Sequence, residues 1–274
     1  MTINADPAKD TPALFGLRSY LDGSLGNSRA FVLGALSLIL VGVGWEASAI
    51  YGWVNPLFLP TMGEVGEAIV KIVSRDDFAH HLAVSGYEFG WGLGLSVLIG
   101  GILGILAGWF KPVEEFLQPI IIAVNSIPNL ALIPLLILVF GIGTLPKIIL
   151  VMLACIVVMV MNTAAGVQSA DKQLMRMSRS FKANQFQLIR TVVIPSVVPY
   201  FMTGVRICVG KAVVSVAVAE IFGSTAGLGH ILIIAQSSFN MPDMYAAVII
   251  LTAIGIALTQ TAAVVERFFL RWRG

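Results

Sequence analysis

Residues 170–199 read ADKQLMRMSRSFKANQFQLIRTVVIPSVVP, a polar island in an otherwise apolar chain. Lys172, Arg176, Arg179, Lys182 and Arg190 face a single acid, Asp171. Leu174, Met177 and Phe181 recur at i, i+3 and i+7, one face of a helix, with Lys172, Arg176 and Arg179 on the other. Asn184 followed three residues later by Gln187 has the pattern of a capping box and predicts the start of a second short helix. Pro195 then stands where the next apolar helix begins. The expected arrangement is helix, turn, helix, lying on a membrane surface between two spans. A basic loop that only orients the protein would carry the same charge. The two-helix pattern with an apolar stripe also fits a segment that grips the membrane protein on one side and offers a partner the other.

The rest of the chain sets that island in lipid. Hydrophobic residues make up 57% of the 274 and charged residues 12%, about half the charge of a soluble domain. Twenty-seven glycines suit helices packed closely in a bilayer. Cys155 and Cys208 lie inside apolar runs without metal-ligand spacing and read as small buried residues. An all-α membrane protein of about six spans follows, at about 31–51, 84–109, 119–140, 147–167, 197–222 and 245–265. The first is a retained span rather than a signal peptide, since no small-residue cleavage site ends it.

Between the first two spans, within residues 55–77, Thr61 can cap an amphipathic helix starting at Met62, with Glu64 completing a capping box. Its apolar face is Val65, Ala68, Ile69 and Ile72, and at about ten to fourteen residues it is too short to cross. His80 and His81 lack carboxylates at ligand spacing and read as a polar edge. In the second span Gly86, Gly90 and Gly94, then Gly100, Gly104 and Gly108, recur at four-residue spacing and predict a groove for a neighbouring helix. Glu88 either pairs with a basic residue of another span or sits at the water boundary. The third span is broken at Ile127-Pro128, because proline removes a backbone donor. Irregular backbone at membrane depth needs protein or a cavity around it, which makes Asn125, Ser126, Pro128 and Asn129 candidates for lining a pathway. The fifth span carries Arg206 and Lys211, roughly 14 and 21 Å from its start, and Glu220 near its far end. Charges at such depth face a cavity or a partner, so these three join the pathway candidates. Residues 223–239 are too short a run to span and read as a half-helix.

With the N-terminus inside, twelve basic residues fall on the inner side and three, Lys71, Arg75 and Lys147, on the outer. By the positive-inside rule both termini and the polar island are cytoplasmic. Residues 1–30 then form a cytoplasmic segment, 31–274 the membrane domain, and 170–194 its cytoplasmic helices. There is no GxxxxGK[ST] loop, so the chain is not expected to hydrolyse nucleotide. No His, Cys or carboxylate cluster suggests a metal or covalent catalysis, and the basic stretch lacks the aromatic interleaving of a nucleic-acid surface.

Residues 180–210, SFKANQFQLIRTVVIPSVVPYFMTGVRICVG, resemble the coupling region and following span of permease subunits in ABC importers of the nitrate, sulfonate, taurine and bicarbonate group. In that family the loop opens on Glu-Ala-Ala, carries a Gly, and ends on an apolar residue with Pro. Here Arg176, Met177 and Ser178 take the first place, Lys182 the Gly place and Ile194-Pro195 the end. Arg176 reverses the expected charge, and Lys182 replaces a residue suited to left-handed backbone. Leu59-Pro60 and the Phe-Gly-Ile-Gly at 140–143 also match the family. The resemblance implies a type I ABC importer permease fold, used as a homodimer in a bacterial cytoplasmic membrane. It implies a separate ABC ATPase dimer that binds the ATP, this chain needing no cofactor of its own, and a periplasmic binding protein that delivers a small anion. Lys172, Arg176, Arg179, Phe181, Lys182, Phe186 and Arg190 would meet the ATPase. The family's Gly-Leu-Arg resembles Gly204-Val205-Arg206 and favours Arg206 over Lys211 as the pathway cation, the other being tied to Glu88 or Glu220. Both being structural anchors is the competing reading. A self-contained secondary transporter or channel is the alternative class. It asks for inverted repeats and mid-span coupling carboxylates, of which Glu220 is the one well-placed example.

Overall fold

The computed structural model describes residues 24–181 and 183–270. Lys182, residues 1–23 of the expected N-terminal segment, and the basic C-terminal Arg271 and Arg273 lie outside the described residues. Among the described residues every regular element is helical. Five helices are long and apolar enough to cross a membrane, or six if one bent pair counts as a single span. The chain divides into two compact units, Met1–Met62 and Gly63–Gly274.

The first unit is dominated by α1, Ser24–Ile50, which begins ahead of Phe31. Within it the Trp45 indole N–H donates to the Pro60 carbonyl at 2.8 Å, and Glu46 accepts from the Met62 backbone N–H at 2.8 Å. The matched Leu59-Pro60 is thereby anchored.

The second unit opens with α2, Met62–Val73. Its Val65, Ala68 and Ile72 are buried as the periodicity predicts. They pack on Leu228 and Ile231 of α10, Leu228–Ser237, and on Ala246, Ala247 and Ile250 of α11, Met241–Leu270. α10 is the expected half-helix, and α11 the last span.

The centre of the unit is the pair α3, Phe78–Trp109, and α6, Leu145–Gln168. Both run slightly longer than the spans read from hydrophobicity, because the flanking residues are helical too. Gly92, Gly100, Gly104 and Gly108, with buried Ser96 at the same spacing, let the two backbones close together. A methyl group added at Gly104 would sit 2.8 Å from the Val160 carbonyl oxygen, and one at Gly108 equally close to that of Ala164. The glycine groove is therefore an internal packing surface. Gly86, Gly90 and Gly94 are not part of it: nothing lies within 4 Å of the position a Cβ would take at any of them. The four-residue repeat changes face between the two triplets, since six residues separate Gly94 from Gly100 and turn the helix well past one face.

On its other side α6 packs on α9, Ile194–Ile221. Here the two cysteines, buried as expected, are neighbours. The Cys155 thiol donates to the Cys208 carbonyl at 3.4 Å, and the Cys208 thiol to that of Cys155 at 3.3 Å.

The expected break in the third span is present. α4, Lys111–Ser126, and α5, Asn129–Phe140, are separated by extended Ile127 and Pro128 and diverge by 105°. Residues 111–118, ahead of the span expected from 119, already form the first half of α4, where Pro112 takes an early position that costs no hydrogen bond. α5 stops at Gly141, whose φ of +79° is open to glycine at little cost.

Candidate functional site

The polar island folds as two helices. α7, Lys172–Ser180, is started by Asp171, whose carboxylate accepts from the backbone N–H of Gln173 at 2.7 Å. α8, Gln185–Leu188, starts with the expected capping box: Asn184 accepts from the Gln187 N–H at 2.8 Å, and the Gln187 side chain accepts from that of Asn184 at 2.9 Å. Leu174 and Met177 are each 50% exposed, Phe181 83% and Phe186 71%, so the apolar stripe is uncovered in the chain. Arg176 and Arg190 are exposed beside it. The side chains of Lys172 and Arg179 lie outside the described residues.

Pro195 stands in the first turn of α9, as expected, but no break precedes it. A π-turn, Ile189–Val193, joins α8 to α9, and Gln185–Ile221 is one continuous helix. Pro195 has no N–H to give the preceding turn, and its ring would crowd that turn's carbonyl; the wider π-turn makes room. Leu188, Val192 and Val193 are buried along this junction.

The pathway candidates are not brought to one place. Asn125, Ser126 and Pro128 are exposed at the break between α4 and α5, the Ser126 hydroxyl donating back to the Ile122 carbonyl at 2.8 Å. The Asn129 side chain lies outside the described residues. On α9, Arg206 is half-exposed and its Nε lies 3.1 Å from Glu266 of α11, which also accepts from Thr203 at 2.8 Å. Lys211 is exposed, with no ion pair or hydrogen bond to any described residue. Neither cation meets Glu88 or Glu220, contrary to expectation.

Those two acids belong to a buried cluster where α3, α6, α9 and α10 meet. Glu88 is fully buried and takes the Lys147 ammonium at 2.6 Å. Lys147, expected on the outer side at the start of the fourth span, is itself buried and also donates to Ser224 at 2.7 Å. Glu220, equally buried, accepts from the Ser85 hydroxyl at 2.5 Å and from the Gly229 N–H at 2.7 Å. It faces the start of α10 rather than an open surface. Ser85 accepts from the Leu228 N–H at 2.8 Å, and His81 Nδ1 from that of Gly227 at 3.0 Å. Three donors at the α10 N-terminus, which no helical carbonyl can satisfy, are thus met by side chains of α3 and α9. Gly227 has φ +124°, and a Cβ there would collide with the Glu220 carboxylate. His81 is therefore a buried acceptor, not a polar edge. Its other nitrogen lies 3.6 Å from Asp77, whose carboxyl is held below the ordinary range chiefly by its hydrogen bond from Arg75.

An up-and-down order of spans puts Glu88, Lys147 and Glu220 at one end, and that was the available signal for the cluster. Which acid takes which donor depends on helix rotation, which hydrophobicity does not fix in helices apolar on nearly every side.

The broken α4–α5 pair, the long α9 continuous with α8, and the short α10 define an all-helical membrane-type bundle, and known structures have this fold. A bacterial ABC transporter involved in the import of the acidic polysaccharide alginate matches with a TM-score of 0.63 at 12% identity, over 88% of this chain and 96% of that one. Residues 100–272 match the binding-protein-dependent transport system inner membrane component family, and the chain belongs to that family. The putative aliphatic sulfonates transport permease protein SsuC of Bacillus subtilis is 29% identical over 87% of this chain and 86% of its own. The taurine transport system permease protein TauC of Escherichia coli is 30% identical over 90% and 92%. The chain is an ABC transporter permease subunit, a membrane-spanning protein.

Proposed function

We propose that this chain forms half of the translocation pathway of an ATP-driven importer, paired with a second copy of itself in a bacterial cytoplasmic membrane with both termini inside. Residues 1–30 are then a cytoplasmic segment and 31–274 the membrane domain. A separate ATPase dimer binds and hydrolyses the ATP. A periplasmic binding protein delivers the substrate, a small anion such as a sulfonate or an organic acid. The names of the relatives, aliphatic sulfonates and taurine, support that class.

The observation that carries the reading is the uncovered stripe of Leu174, Met177 and Phe181 along α7, beside exposed Phe186 on α8, the helix continuous with α9. Such a stripe suits a groove in a partner protein, and a rigid helix passes the partner's movement into the membrane. Arg176 and Arg190 set the polar rim of that contact, and Lys172, Arg179 and Lys182 add positive charge to the same stretch of sequence. The test is Phe181→Asp and Phe186→Asp in the full complex. Membrane insertion stays normal, while the ATPase no longer co-purifies and ATP-driven uptake of an alkanesulfonate stops. Full uptake in both variants overturns the reading.

A further inference from the structure

The interior cations of the membrane helices have different fates. Lys147 is buried against Glu88 at 2.6 Å, and Arg206 meets Glu266 at 3.1 Å. Lys211 has neither a carboxylate nor any other hydrogen-bonding partner among the described residues, and it is exposed. It lies ten residues before Ile221, where α9 ends, a distance of about 15 Å along the axis. A lysine stem cannot lift its ammonium to the bilayer surface over that distance. An ammonium left in hydrocarbon at this depth is costly, and such residues face water or protein. The residues around it on α9 are uncovered too: Ile207 is 43% exposed and Val214 63%. Gly210 and Val214 line a groove between α9 and α11 that also carries Thr252, Thr259 and Gln260.

We propose that Lys211, and not Arg206, is the residue of α9 that meets the transported anion, on a face that borders a water-filled pathway. This rests on the importer reading above. Arg206, tied to Glu266 with Thr203, is a positioning residue that fixes α9 against α11. Its charge is largely cancelled locally, whereas the field of Lys211 is open to a singly charged oxyanion such as a sulfonate or carboxylate.

The experiment places a reporter thiol one helical turn away, Val214→Cys, in a chain with Cys155→Ala and Cys208→Ala. The permease is expressed with its ATPase, and open membranes are treated with two water-soluble methanethiosulfonates, one carrying a sulfonate and one a quaternary ammonium. Both reagents react, and the sulfonate is favoured relative to a free thiol. Lys211→Gln lowers the anion-to-cation rate ratio by about tenfold, the effect of one unit charge at this spacing in a partly aqueous cavity. Lys211→Arg keeps the ratio, and Arg206→Gln changes it by less than about twofold, since Glu266 already offsets that charge. Silence toward both reagents, a ratio indifferent to Lys211→Gln, or a ratio governed by Arg206 overturns the assignment. The same membranes report on the importer reading. If the ATPase co-purifies while the ratio is flat, only the Lys211 role falls. If no ATPase co-purifies with the unmodified chain, the importer reading itself falls.

Discussion

Removing the Lys147 ammonium should unfold the corner where α3, α6, α9 and α10 meet. In Lys147→Met the stem is replaced by an apolar chain of similar length, and Glu88 stays fully buried without its cation. Its Oε1 loses the 2.6 Å contact, and its Oε2 already makes no hydrogen bond to a described group. Taking one partner from a buried pair costs about 3–5 kcal/mol, and the lost hydrogen bond to Ser224 about 1 kcal/mol more. The folding equilibrium then shifts by about a thousandfold or more. Thermal unfolding of the detergent-purified protein, followed by tryptophan fluorescence, should drop on the order of 10 °C. The paired variant Lys147→Met with Glu88→Met removes both charges and should recover most of the loss, because a buried pair replaced by apolar groups is often close to neutral. A single variant that loses less than about 1 kcal/mol, or a double variant no better than the single, would refute the reasoning.

Gly104→Leu should block the approach of α3 to α6, costing about 1–3 kcal/mol or preventing assembly, whereas Gly90→Ala, with open space around it, should leave expression and melting unchanged; size-exclusion profiles of the two distinguish them. Glu220→Gln offers an amide where two acceptor oxygens are needed and should cost about 1–3 kcal/mol, read as faster hydrogen exchange at the Leu228–Ser237 helix with the other helices unaffected. The His230 imidazole is held below its ordinary value of 6.5 chiefly by burial. The folded chain then binds fewer protons there than the unfolded one, so its contribution is complete above about pH 6.5 and declines as the pH falls through and below it. The melting temperature should fall between pH 7.5 and 5.5, and His230→Gln should flatten that fall.

Much of this was legible in the sequence because it is local. The Asn184–Gln187 capping box, the apolar face of residues 62–73 and the break at Ile127-Pro128 each depend on residues within one or two turns. The cluster around Glu88 and Glu220 was not legible, because its members come from four helices, of which α3 and α6 are set against each other by close packing at Gly92, Gly100, Gly104 and Gly108 rather than by any amphipathic stripe. The partner of Arg206 was not legible for the same reason: Glu266 is sixty residues further on, on another helix. Pro195 does mark the start of α9, but nothing in the sequence announces the π-turn that joins it to α8.

That π-turn decides where this protein can be recombined with its relatives. To a reader of sequence the natural crossover is Pro195, with everything before it as an exchangeable cassette. In the folded chain such a cut divides one helix through its buried junction at Leu188, Val192 and Val193. The usable crossovers lie instead in the loops, at Ser169–Ala170 and between Phe181 and Asn184. A hybrid joined there exchanges α7 alone and inherits α8 and α9 as a single part.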